Sequence, residues 1–218
     1  MVADEQTAGR GRRDRDWHSS PGYGLYLSVL LLPQTSKRIS LLSLMSSIAV
    51  AETLIEQGVS GVDIKWPNDV LVNSRKLCGI LVESVGAGSG LPRIIVGIGV
   101  NLNHQSFPEE LNSTATSLKI ETGQVTAVEG FRDQLLKKLY EWYLHWQSGE
   151  ESLILDRWQQ LSSYARGALV TVTLDEEQLQ GETQGLNGDG ALMLRLSNGS
   201  LKTILSGDVA RLRKNLTP

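Results

Sequence analysis

Cysteine appears once in these 218 residues, phenylalanine twice, and histidine and methionine three times each. A lone cysteine, Cys78, excludes an intramolecular disulfide framework and suits a reducing compartment. His18, His104 and His145 are scattered without metal-ligand spacing, and no Ser–His–Asp or Cys–His arrangement can be argued from them. An excess of positive charge is also missing. The formal net charge of −3 argues against broad nucleic-acid binding, which needs a basic face. No apolar run, "LYLSVLLLP" included, reaches the roughly 20 residues of a membrane span. The first residues lack the basic-then-apolar pattern of a secretory signal, so a cytoplasmic protein with no membrane partner is expected. A phosphate-binding G-x-x-x-x-G-K-[ST] loop is absent too.

What remains has clear texture. "YGLYLSVLLLP" (23–33) reads as a buried strand ended by proline. Leu41, Leu44, Met45, Ile48, Ala51 and Ile55 recur at helical spacing within 38–57, and Gly58 sits where a C-terminal cap belongs. "VDIKW" is a strand, "VLVNSRKLCGILVES" a hairpin turning at 73–75, and "RIIVGIGVNLN" a further strand. Residues 104–124 read as polar loop. Thr126 and Glu129 have the form of a capping box ahead of a helix whose stripe is Phe131, Leu135, Leu139, Trp142 and Trp146; a second helix follows over 152–161. Beyond Tyr164, short strands separated by turn signals such as Asn187-Gly188-Asp189-Gly190 suggest a small β-barrel, with a domain boundary near 165.

Several side chains sit oddly in these elements. "AGRGRRDRDW" packs four arginines and two glycines into one short stretch. Alone, such a stretch reads as a solvated tail. In the strand at 94–103, Ile94, Val96, Ile98, Val100 and Leu102 share one face, leaving Gly97, Gly99, Asn101 and Asn103 on the other. A face so short of bulk leaves room for something to approach the backbone. Lys76 is expected on the face of Cys78, Ile80 and Val82, where an unpaired ammonium is costly. Lys65 raises the same question one strand earlier, and Pro67 leaves Asn68 and Asp69 at that strand's edge. Two strand lysines, an arginine–glycine loop and a glycine-faced strand together suit a phosphate-bearing ligand. Cys78 reads as a small core residue.

In order and spacing, "EQTAGRGRRDRDW", "KWPNDVLVNSRKLCGILVE" and "GIGVNLN" resemble the biotin–protein ligases, with the likeness running from about Ala3 to the C-terminus. The resemblance implies an α+β fold, a mixed β-sheet packed by helices as in class II synthetases (1–164), followed by a small SH3-like β-barrel domain (165–218). It also implies a reaction: biotin and ATP, with Mg²⁺, give biotinyl-5′-AMP, and a lysine of a carboxylase's biotin carboxyl carrier domain then takes the biotinyl group. By the same resemblance Gln6, Arg10, Gly11, Arg12 and Lys76 belong to the biotin site, and Arg12, Arg13, Trp17, Lys65, Asn68, Asp69 and Asn101 to the ATP site. Lys76 and Arg12 would act in catalysis.

The arginine stretch then reads as a lid that orders over its ligands and lacks fixed structure without them. Relatives carry a strand, a helix and a Ser-Thr-Asn-like motif ahead of this loop, whereas five residues precede Gln6 here. That predicts an exposed sheet edge, a tendency to form homodimers, and impaired activity. Asp14 stands where many relatives have glycine. The helix-turn-helix domain of some ligases has no counterpart in the sequence, so no repressor role is expected. The alternatives are a relative that adenylates lipoate or another acyl acid, and a protein that only binds biotin or nucleotide.

Overall fold

Alternating apolar residues and two tight turns build the larger sheet. The computed structural model describes residues 1–33, 38–85, 93–175 and 177–212. Its first six strands are β1 (Val2–Ala3), β2 (Gly24–Leu31), β3 (Val62–Lys65), β4 (Asp69–Val72), β5 (Arg75–Val85) and β6 (Arg93–Asn101). They form one sheet in the order β1-β2-β6-β5-β4-β3, every named pair antiparallel. Asn73 and Ser74 both take positive φ (49° and 66°), the backbone of a two-residue hairpin turn that matches strand twist. The turn is thus one residue shorter than the sequence suggested.

Three helices cover one face: α1 (Leu41–Glu56), α3 (Val128–Gln147) and α4 (Glu151–Leu161). α1 is buried along nearly its whole length, because α3 and α4 pack over it while it packs on β3, β4 and β5. The stripe of Phe131, Leu135, Leu139, Trp142 and Trp146 is the buried side of α3, as its spacing implied. Ile94, Val96, Ile98 and Val100 of β6 join the same core.

Two expectations fail locally. The capping box does not form: Ala127 caps α3 without a side-chain bond, and the backbone of Thr126 is taken instead by Asn103, through N–H to Oδ1 at 2.9 Å and Nδ2–H to O at 2.9 Å. A bond between separated segments replaces the local one. Within 104–124 lies a short helix, α2 (Leu118–Thr122), whose Ile120 N–H donates to Ser117 Oγ at 3.1 Å. Five residues are too few for a visible helical period.

A second sheet contains β7 (Arg166–Thr173), β8 (Gln178–Leu186), β9 (Leu192–Leu196), β10 (Leu201–Ile204) and β11 (Asp208–Arg211), in the order β10-β9-β8-β7-β11. β7 to β10 fall where the sequence suggests; β11 is an addition, and the five strands form an open sheet among the described residues. β10 and β11 are opposite edges, and no pairing joins them among the described residues. No helix among those residues is long and apolar enough to cross a membrane.

Candidate functional site

The sheet face left bare by the helices floors a cavity of about 840 Å³. Gly79, Gly97, Gly99 and Asn101 are its base, the Lys65–Asp69 connection one side, and the segment from Gln6 to His18 its cover. Val209, Ala210 and Arg211 of the second sheet close another side. Of the residues singled out in the sequence, Gln6, Arg10, Gly11, Arg12, Trp17, Lys65, Asn68, Asp69, Lys76 and Asn101 all line this one space; Arg13 does not.

Lys76 reaches the cavity through an irregularity that no alternation pattern could show. Opposite β5, Val70 pairs with Cys78 but its neighbour Leu71 pairs with Lys76, so Leu77 is an extra residue in the ladder. Leu77 and Cys78 are consequently both fully buried, and Lys76 is thrown onto the open side, where a Cβ on Gly79 would lie 3.2 Å from its Nζ. The expected sharing of a face with Cys78 and Ile80 is therefore wrong, and the apparent cost of an ammonium in the core disappears. Cys78 is a core residue, as expected, and burial pushes its thiol up.

Charge is concentrated around one carboxylate. Asp69 Oδ1 lies 2.7 Å from Lys76 Nζ and Oδ2 3.1 Å from Lys65 Nζ. Burial by itself would raise this carboxyl; the ammonium of Lys76, then that of Lys65, outweighs burial and holds Asp69 below the usual carboxylate range. Arg12 Nη1 donates to Asn68 Oδ1 at 3.3 Å, and Asn68 Nδ2 donates to Ile80 O at 2.8 Å, so Asn68 ties the arginine to β5. Burial depresses the Arg12 guanidinium, against the pull of Asp208 and Asp69, yet an arginine keeps its charge. Three cations thus face one buried carboxylate. Asn101 donates from Nδ2 to Thr116 O at 3.1 Å, and its Oδ1 is buried without a partner.

Trp17 takes up part of the space the glycines leave. A Cβ on Gly99 would stand 2.5 Å from its Cε2, and one on Gly79 2.8 Å from its Cζ3. Lys76 Nζ lies 5.5 Å from the indole centroid, a cation–π distance, and the indole Nε1 is buried without a partner. Only glycine lets a ring lie this close to a strand backbone.

The arginine loop folds back on itself beside the cavity. Gly11 N donates to Arg15 O at 2.6 Å and Trp17 N to Gly9 O at 2.9 Å, closing a small turn. Arg13, at φ 56°, points away from the cavity. It pairs with Asp175 at 3.0 Å and Asp208 at 3.6 Å and donates to Thr173 O at 3.2 Å; Arg15 pairs with Asp208 at 2.8 Å. Arg10 stays exposed, 3.5 Å from Glu83. The loop is therefore split between cavity, solvent and second sheet.

Sequence reasoning missed two contributors. His18, which lines the cavity, meets the buried His104, ring centroids 6.0 Å apart, with His104 stacked on Phe107 at 5.1 Å. Burial, then the neighbouring His18, lowers His104 to about 4. Arg211 lies 4.7 Å over the ring of Tyr164, and both line the cavity. Neither pair had a signal, since each joins residues far apart in the chain. No cluster of three or more histidine, cysteine or carboxylate side chains suited to a metal occurs among the described residues.

Known proteins match this frame. Residues 1–101 fit the model of the biotin/lipoate A/B protein ligase family, and residues 167–212 that of the biotin protein ligase C-terminal domain. The chain is 35% identical over 215 residues to the bifunctional ligase/repressor BirA of Bacillus subtilis, covering 96% of this chain and 65% of that protein. It thus spans about two thirds of the length of the BirA proteins it matches. It is 34% identical over 202 residues to the biotin–[acetyl-CoA-carboxylase] ligase of Paracoccus denitrificans, covering 89% of this chain and 83% of that one. Among solved structures, the biotin protein ligase of Aquifex aeolicus in complex with biotin and ATP superposes with a TM-score of 0.86 at 32% identity, covering 97% and 88% of the two chains. With both family models matched and a biotin–[acetyl-CoA-carboxylase] ligase aligned over most of both chains, the chain belongs to the biotin–protein ligase family.

Proposed function

We propose that this chain joins biotin to a specific lysine of a carrier protein in two steps, through biotinyl-5′-AMP. In the first, a biotin carboxylate oxygen attacks the α-phosphorus of ATP and pyrophosphate leaves. In the second, the ε-amine of the acceptor lysine attacks the acyl carbon, an amide forms with loss of the amine proton, and AMP leaves. The observation that carries this reading is the convergence of Lys65, Lys76 and Arg12 on a glycine-floored cavity with a single buried carboxylate between them. Adenylation brings together two anions, so alignment and compensation of negative charge are the main tasks.

Each side chain has a role in that reading. Lys76 sits between the biotin carboxylate and the reacting phosphate, and Arg12 stabilises charge on the phosphoryl oxygens. Gln6, Arg10 and Gly11 border biotin. Lys65, Asn68, Asp69, Asn101 and Trp17 border the nucleotide, and Asp69 holds both lysines in place. Arg13 belongs to the anchoring of the loop, not to the nucleotide. The loop keeps water from a mixed anhydride that water would hydrolyse.

A Mg²⁺ accompanying ATP fits a cavity with the unpartnered oxygen Asn101 Oδ1 and the carboxylate of Asp69, whose charge two ammonium groups already match. Such an ion keeps mainly phosphate and water ligands and would draw pyrophosphate toward departure.

The same reading takes residues 1–164 as the catalytic domain and 165–218 as a C-terminal domain, supported by the start of β7 at Arg166. The partner is the biotin carboxyl carrier domain of a carboxylase, and the compartment the cytoplasm, in keeping with one free cysteine. A net charge of −3 leaves nucleic acid outside the reading. Beyond Ser28 the outer edge of β2 is unpaired among the described residues, and Leu30 and Leu32 are 58% and 64% exposed, which favours a homodimer.

The test is biotin-dependent ATP–pyrophosphate exchange, with lipoate in parallel. Exchange with biotin alone is expected. Exchange with lipoate alone would replace the substrate, and none with either acid, from folded protein, would reduce the chain to a binding protein.

A further inference from the structure

Lys65, Asn68 and Asp69 line the cavity, but the two residues between them, Trp66 and Pro67, do not. These two face the other way and are held by groups outside the sheet. Trp66, 2% exposed, donates from Nε1 to Gly190 O at 3.0 Å, across 124 residues of sequence. Pro67 O accepts from Ser43 Oγ of α1 at 3.1 Å. We infer that the turn at Asn187–Ala191 of the second sheet is a brace that sets the position of Lys65, Asn68 and Asp69 through Trp66, making Gly190 and Trp66 positioning residues for the site.

The brace is rigid on its own account. Asn187 Oδ1 accepts from Asp189 N at 3.0 Å and Ala191 N at 2.9 Å, and Asn187 N donates to Ala191 O at 2.9 Å. Ser40 Oγ fastens it to the start of α1 by donating to Asp189 O at 2.8 Å. Gly190 has φ +78°, and a Cβ there would stand 2.8 Å from both Leu41 and Leu44, so the turn approaches α1 as closely as a backbone can. Nor is the indole bond a routine consequence of burial. Trp158 is fully buried in the same core with its Nε1 unpartnered, so the fold tolerates an indole N–H without an acceptor, and the one at Trp66 is supplied. The arrangement explains why a sheet that contributes only a rim to the cavity is pressed against the strand connection carrying its charged groups. Reaction geometry tolerates little displacement there, since a shift of about 1 Å costs up to roughly a hundredfold in rate.

The kinetic part of the test rests on the ligase reading, so a second part does not use activity. Trp66→Phe keeps a ring and removes the donor; Gly190→Ala forces the turn away; Gly188→Ala, whose added methyl meets nothing within 4 Å, is the control in the same turn. In the full chain, Trp66→Phe and Gly190→Ala should lower kcat for pyrophosphate exchange by about tenfold while KM for biotin stays within about twofold, and Gly188→Ala should match the wild type. In parallel, hydrogen exchange at the amides of residues 65–71 should accelerate in the first two variants, with α3 unaffected. Unchanged kcat together with unchanged exchange in Trp66→Phe would overturn the brace, even if Gly190→Ala fails to fold. If the wild type shows no biotin-dependent exchange, the ligase reading falls and the amide protection of 65–71 alone decides the brace.

Discussion

The two faces of the six-stranded sheet are built on opposite rules. On the helix side, β6 places Ile94, Val96, Ile98 and Val100 in the core shared with α1 and α3, and burial is nearly complete. On the cavity side the same strand offers Gly97, Gly99 and Asn101. One face is specified by the side chains it has, and the other by those it lacks. The first needs only a two-residue period. The second needs partners brought from elsewhere: Trp17 from the N-terminal loop, Lys76 from a ladder irregularity, Arg211 from the second sheet. Stability should therefore reside on one face and chemistry on the other.

The sharpest break of that division would come from Ile94→Ala, on the covered face. It should cost roughly 2–5 kcal/mol in a denaturant melt, with pyrophosphate exchange per folded molecule unchanged. Lys76→Ala is the mirror case. Exchange should fall by roughly 10²–10³-fold, the scale of one lost charge-stabilising donor, at little cost to the melt. Near-normal exchange would remove Lys76 from the chemistry.

A smaller effect probes the buried His104, beside the cavity-lining His18, by pH. The ring of His104 gains its proton near 6.5 in the unfolded chain but only at about 4 in the folded one. Between those values the unfolded state holds more protons, so stability falls as the solution is acidified across this window, by roughly 3 kcal/mol in total. His104→Phe, which keeps the stack on Phe107, should flatten that slope; an unchanged slope would assign it to other groups. The mildest change is Gly99→Ala. Its methyl would meet Trp17 at 2.5 Å and push the indole off the strand. The expected readouts are altered tryptophan emission and a biotin affinity weaker by about tenfold; unaltered emission would mean that the indole is not seated as described.

The comparison also explains how much was legible in advance. Residues with a period, such as the α3 stripe and the covered face of β6, could be assigned directly, because burial of one side imposes the spacing. The cavity's members could be named as an unusual set, but their arrangement could not. Lys76 lands on the open face only because Leu77 is an extra residue opposite β4. His18 and His104 looked unrelated because nothing local links them, and they meet only when the N-terminal segment crosses the end of β6. The capping box misled for the same reason: a local rule lost to Asn103, fixed in place by the end of the sheet. The arginine loop was recognisable by composition, yet its division of labour depends on Asp175 and Asp208, some 160 to 195 positions later.

Those late anchors carry a consequence for biosynthesis. Arg13 and Arg15 leave the ribosome well before Asp208, their partner in β11. Translation at about 5–20 residues per second separates the two events by roughly ten to forty seconds. During that interval the growing polypeptide can assemble its first sheet but cannot shut the entrance, because the hasp is made before its staple. Closure of the loop thus waits for residue 208, and a ribosome-bound intermediate halted before it should leave its glycine-floored chamber open to water.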